Sequence, residues 1–147
     1  MKHFPSRMPK KPSAKKLSRD EKRNIDVEIG FIEGIIRRDP AYVEALQILG
    51  DDYTKRDRFL DGLHIDEQLA RLRPSDPTVL YNLACSYSLT GETESAFAAL
   101  HRALDSGYDD FKWLAQDPDL ETLRKHPDYT TVRAKLKERK PRTSTAS

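Results

Sequence analysis

The chain has a single cysteine in 147 residues, Cys85, so no intramolecular disulfide can form and the composition fits a reducing compartment. Long apolar runs are also missing; none approaches the roughly 20 residues that a membrane-spanning helix needs. The six glycines are scattered, so no phosphate-cradling loop is written into the sequence. The four histidines, His3, His64, His101 and His126, lie far apart and match no metal-ligand spacing. Cys85 has no basic neighbour in sequence to lower its thiol pKa. Strand-like alternation is absent, which leaves an all-α chain. These absences remove the usual signals of catalysis: no enzyme, no catalytic residue, no metal and no cofactor are expected.

Charge is abundant but sorted by region. Residues 1–23 carry nine Lys/Arg against two acids, and residues 133–147 carry six against one. The stretch between them, 24–132, holds eleven Lys/Arg and twenty-one acids. An acidic helical body with two basic ends results. The N-terminus is basic without an apolar stretch behind its charges, so it does not read as a secretory signal. Its three prolines, Pro5, Pro9 and Pro12, suit an amphipathic transit helix poorly. A cytoplasmic protein is the expectation.

What the chain does have is a repeat. Residues 43–76 and 77–110 align at an offset of 34: Leu49-Gly50 falls on Leu83-Ala84, Tyr53 on Tyr87, Gly62 on Ala96, and Leu69 on Ala103. A helix–turn–helix unit of this period cannot bury its apolar face alone and must stack on neighbours. The small residues sit where helices approach closely, and the tyrosines fill the adjoining holes.

These positions resemble the tetratricopeptide repeat (TPR) family. The second unit matches better, with Gly91 at its inter-helix turn, where the first has Asp57. Asp66 likewise stands where the second unit has Leu100. Upstream, Ile25, Ile29, Ile32 and Ile36 mark a helix over 20–38 that stands in for half a preceding unit. Downstream, residues 108–129, with Asp117-Pro-Asp-Leu and Leu123-Arg, are similar to the closing segment of many bacterial TPR proteins. The resemblance implies a TPR-type α-solenoid of antiparallel helix pairs with a C-terminal closing helical segment.

Punctuation places the elements. Ser18 with Glu21 forms a capping box for the first helix, and Asp39-Pro40 separates it from a helix running to about Arg56. Helices are then predicted over 59–72, 77–89 and 93–105, with Gly107 capping the last. Shorter closing helices occupy 111–139, two of them opened by Pro118 and Pro127. One domain is expected over 18–140, flanked by disordered tails at 1–17 and 141–147.

In the TPR family the first helix of each pair lines a concave groove. The resemblance therefore assigns the groove to Glu44, Gln47, Ile48, Asp51, Thr54 and Lys55 in the first unit. In the second it assigns Thr78, Tyr81, Asn82, Cys85, Ser88 and Leu89. Tyr81 is expected exposed in mid-groove, supplying affinity, and the Asn82 amide is suited to clamp a peptide backbone. The basic clamp for acidic chaperone tails is not present, since Gln47 and Asp51 take the places of its Lys and Asn. The expected partner is a basic or neutral protein segment, bound by an adaptor or client-specific chaperone. The open ends also allow self-association, and no membrane partner is expected. The alternative is a nucleic-acid or anionic-surface binder working through the basic tails; the tails offer no base-stacking platform, and nucleic acid is the less favoured partner.

Overall fold

The computed structural model describes residues 16–139, and the basic-tail assignments for 1–15 and 140–147 lie outside them. The described chain is all-helical. Its elements are α1 (Arg19–Arg38), α2 (Val43–Lys55), α3 (Phe59–Leu72), α4 (Pro77–Leu89) and α5 (Thr93–Asp105). There follow α6 (Phe111–Leu114), a 3₁₀ turn (Pro118–Leu120), α7 (Glu121–Arg124) and α8 (Tyr129–Glu138). Each of the first four helices packs on the next, giving the adjacent antiparallel pairs of a TPR-like α-solenoid.

The helix ends are set by local chemistry. At α1, the Glu21 backbone N–H donates to Ser18 Oγ and the Ser18 backbone N–H to Glu21 Oε1, at 3.1 and 2.7 Å. Asp76 accepts from the N–H groups of Thr78 and Val79, with Pro77 at the first helical position, where no N–H is needed. Between α4 and α5, Gly91 takes φ +80°, and Gly107 takes φ +110° after α5. Asp57 occupies the place of Gly91 in the first unit and adopts the same left-handed backbone, φ +58°. Aspartate is one of the few residues that tolerate it.

The 34-residue offset reappears as paired bonds. Tyr53 donates its hydroxyl to Glu33, and Tyr87 donates to Glu67. Gln68 donates to the Pro40 carbonyl, and Arg102 to the Pro74 carbonyl. The N–H of Arg58 reaches the Tyr53 carbonyl, as that of Glu92 reaches Tyr87. The side-chain bonds pin each unit to the stretch before it by the same joints, and the backbone bond closes the same turn inside each unit. Gly62 marks the tightest crossing: a Cβ there would lie 3.3 Å from Thr54 Oγ1 and 3.7 Å from the Gly50 carbonyl oxygen.

Asp66 is not a gap in the buried stripe. It is buried and accepts the Ser86 hydroxyl from the next unit, so a polar joint replaces the apolar contact that Leu100 makes one period later. The largest apolar cluster unites α4 and α5 with Leu114, Leu120, Leu123, Tyr129 and Val132 of the closing segment. Smaller clusters join α1 to α2, through Ile29, Ile32, Leu49 and Tyr53, and join Leu46, Leu69 and Val79. Among the described residues no helix is long and apolar enough to cross a membrane.

Candidate docking surface

The two first helices, α2 and α4, present equivalent faces with opposite fates. On α2, Glu44, Ile48 and Lys55 are exposed, with Ile48 keeping 44% of its surface open, while Asp51 and Thr54 are half-buried. Asp51 forms an i,i+4 ion pair with Lys55 at 3.0 Å, so its charge is partly answered within the helix. Glu44 is left as the exposed acid of this face. Gln47 is buried.

On α4 the picture changes. Thr78, Ser88 and Leu89 are half-buried, but Tyr81, Asn82 and Cys85 are buried at 4%, 7% and 2% exposure. Tyr81 is therefore not open in mid-groove, contrary to the expectation from the repeat. The closing segment folds back over α4, and Tyr81 stacks on Tyr108 with ring centroids 4.1 Å apart and planes nearly parallel. Its hydroxyl donates to Asp117 Oδ2 at 2.7 Å, and the Cys85 thiol lies 3.6 Å from the same oxygen. The other oxygen, Asp117 Oδ1, accepts the Asp119 N–H and so opens the 3₁₀ turn. Burial first, then the nearby negative charge, raises the Tyr81 hydroxyl pKa, which keeps it a donor.

Asp117 is the functional residue of this joint that sequence reasoning passed over. Its signal was the Asp-Pro pair, which marks a cap; nothing local shows that the second oxygen reaches back 36 residues to Tyr81. Cys85, Asp117 and Asp119 form a group in which one ligand-capable atom of each lies within 4.8 Å of the others. Both Asp117 oxygens already accept hydrogen bonds, so the arrangement serves as a buried joint between repeat and closing segment.

Asn82 stands one 34-residue period after Ile48. Its amide nitrogen is buried and finds no hydrogen-bond partner. A buried donor without a partner is costly and rare. At the α1–α2 seam, burial and then the adjacent Glu28 push the Asp52 carboxyl up to about 8, so it holds its proton at neutral pH. Among the described residues, His101 sits against Thr131 of α8 at 3.1 Å and His126 lies edge-on to Phe97.

Known proteins share part of this sequence. Over 83 residues it is 37% identical to a chloroplastic protein of Arabidopsis thaliana, covering 54% of this chain and 25% of that protein. Over 91 residues it is 32% identical to the peroxisomal targeting signal receptor of Komagataella phaffii, covering 60% of this chain and 16% of the receptor. The same receptor from Kluyveromyces lactis is 34% identical over 76 residues, 52% of this chain and 13% of the receptor. The chain thus spans a quarter or less of the length of these relatives. No family model matches the chain, and no solved structure matches it.

Proposed function

We propose that this chain is a TPR-type protein-docking module, an adaptor or client-specific chaperone, that holds a partner segment along α2 and the adjoining edge of α4. Partial similarity to receptors supports a protein-binding role in general. The observation that carries the finer reading is the unpartnered Asn82 amide nitrogen, set one repeat from the exposed Ile48. Turned outward as a segment docks, that donor would meet a main-chain carbonyl of the segment, while an apolar side chain of the same segment covers the exposed Ile48. Tyr81 does not touch the partner in this reading; it holds the closing segment that walls one end of the groove.

Glu44 favours a basic or neutral segment and disfavours an acidic one. Because Asp51 is paired with Lys55, charge selection rests mainly on Glu44. Nothing in this reading needs a catalytic group, a metal or a cofactor. The chain's one thiol, buried at Cys85, suits a reducing compartment such as the cytoplasm.

The test is a peptide array of basic, neutral and acidic ten-residue segments probed with the full chain. Basic and neutral segments should be retained, and Asn82→Ala should weaken retention about tenfold, the worth of one hydrogen bond to a buried donor. Its melting temperature should stay close to wild type, since that nitrogen has no internal partner. Ile48→Glu should abolish retention. Equal binding of acidic segments, or full binding by the Ile48→Glu/Asn82→Ala chain, would overturn the reading.

A further inference from the structure

The largest exposed apolar side chains on α1 are Val27 and Phe31, at 67% and 68% exposure. They lie on the face of α1 opposite its buried stripe, since Ile29 and Ile32 turn toward α2. By helical spacing that outer face runs Asp20, Asn24, Val27, Phe31, Gly34, Arg38. Among the described residues, α2 is the main element packed against α1. The solenoid therefore shows an apolar helix face where every internal helix has a neighbour on each side.

The charges of this face have a direction. Asp20 lies in the first turn and Arg38 in the last, and both are exposed. An antiparallel copy of α1, related by a two-fold axis at the level of Ile29, sets Val27 opposite Phe31 of the copy. The same axis sets Asp20 opposite Arg38 of the copy, so one register satisfies both the apolar and the charged positions twice over. A parallel pairing would instead place like charges together at both ends. We propose that α1 is a homodimerisation helix, pairing antiparallel with α1 of a second copy of this chain.

Two glycines fit the same arrangement. Gly30 and Gly34 lie inside α1, where glycine costs about 1 kcal/mol relative to alanine. A Cβ at Gly30 would meet nothing within 4 Å, and at Gly34 only the side chain of Arg37, at 3.7 Å. Packing within the chain therefore gives no reason for glycine at either position. On the flank of a helix pair, both let the two backbones approach. An isologous interface built on one helix per copy lies at the small end of stable interfaces, about 1,200 Å² or less. The dimer is accordingly a reversible one, in the micromolar range.

This inference stands apart from the groove, so the two fail separately. Sedimentation velocity of the full chain from about 1 to 300 μM should show a monomer–dimer equilibrium. Phe31→Glu should weaken dimerisation at least tenfold with the helical circular dichroism unchanged, because the side chain is solvent-exposed. Asp20→Arg and Arg38→Asp should each weaken it, and the double variant should restore it. Mixing a Val27→Cys chain with a Phe31→Cys chain should give disulfide-linked dimer faster than either chain alone. The proposal is overturned by a monomer throughout the range or by a Phe31→Glu chain that dimerises like wild type. It is equally overturned by loss of dimer on Leu60→Glu, at the exposed apolar residue of α3, instead of on Phe31→Glu.

Discussion

The two repeats share a frame and differ in what covers them. Tyr53–Glu33 and Tyr87–Glu67 are one joint made twice, as are Gln68–Pro40 and Arg102–Pro74. Yet Gln47, Ile48 and Asp51 of the first unit correspond to Tyr81, Asn82 and Cys85 of the second. Ile48 is open to solvent, while all three counterparts on α4 are buried. The frame is set by contacts inside and just before each unit. The exposure of this face is set by the next stretch of chain: another repeat after the first unit, and a broken helical segment anchored by Asp117 after the second.

The sharpest way to break that contrast is Asp117→Ala. It strands the Tyr81 hydroxyl and removes the cap of the 3₁₀ turn, and should cost about 3 kcal/mol in urea unfolding. The Cys85 thiol should then react readily with a thiol reagent, as the second face comes to resemble the first. Tyr81→Phe should cost only about 1 kcal/mol, since stacking on Tyr108 survives.

The next largest effect concerns the first unit and pH. The folded Asp52 carboxyl titrates near 8, far above its ordinary value of 3.8. Between those values the folded chain keeps a proton that the unfolded chain releases. This contribution to stability is therefore full below about pH 4 and declines as pH rises toward 8. Urea unfolding should show Asp52→Asn gaining on wild type from pH 5 to pH 8, by on the order of 2 kcal/mol. No such crossing should appear for Ser86→Ala, at the equivalent position of the second unit.

The shared frame predicts parity. Tyr53→Phe and Tyr87→Phe should each cost about 1 kcal/mol by losing one partly buried hydrogen bond. Inequality beyond twofold would show that the joints are not equivalent; Arg58, 4.5 Å from the Tyr53 ring centroid, is the feature that would favour the first. The smallest effects lie at the inter-helix turns. Asp57→Gly should stabilise by under about 1 kcal/mol by relieving a left-handed backbone, while Gly91→Val should cost about 1–2 kcal/mol. Thermal denaturation is enough to read both.

Much of the fold was legible because its signals are local. Ser18 and Glu21 cap the same helix they begin, Asp76-Pro77 opens α4, and Gly91 and Gly107 supply the positive φ of their turns. The closing segment was legible as short helices, although the stretch after Pro118 starts as a 3₁₀ turn before α7, and α8 begins at Tyr129 rather than at Pro127. Of the residues expected to line a groove, Glu44, Ile48 and Lys55 on α2 are exposed, while Gln47 on α2 and Tyr81, Asn82 and Cys85 on α4 are buried. Helical spacing puts Tyr81, Asn82 and Cys85 on one face, but spacing carries no information on what lies against that face.

The sequence by itself determined where helices start and stop, the 34-residue frame and the small residues at close crossings. Capping, turn geometry and periodicity act over a few residues and need no knowledge of distant chain. Only the tertiary structure decided that Tyr81 and Cys85 are interior and that Asp66 is a buried joint. It also decided that Asp52 keeps a proton and that Asn82 is left with an unpaired donor. Burial and proton affinity depend on which surfaces the chain brings together from 20 or 36 residues away, as in Ser86–Asp66 and Tyr81–Asp117. That is a property of the packed whole, where desolvation and long-range partners act together.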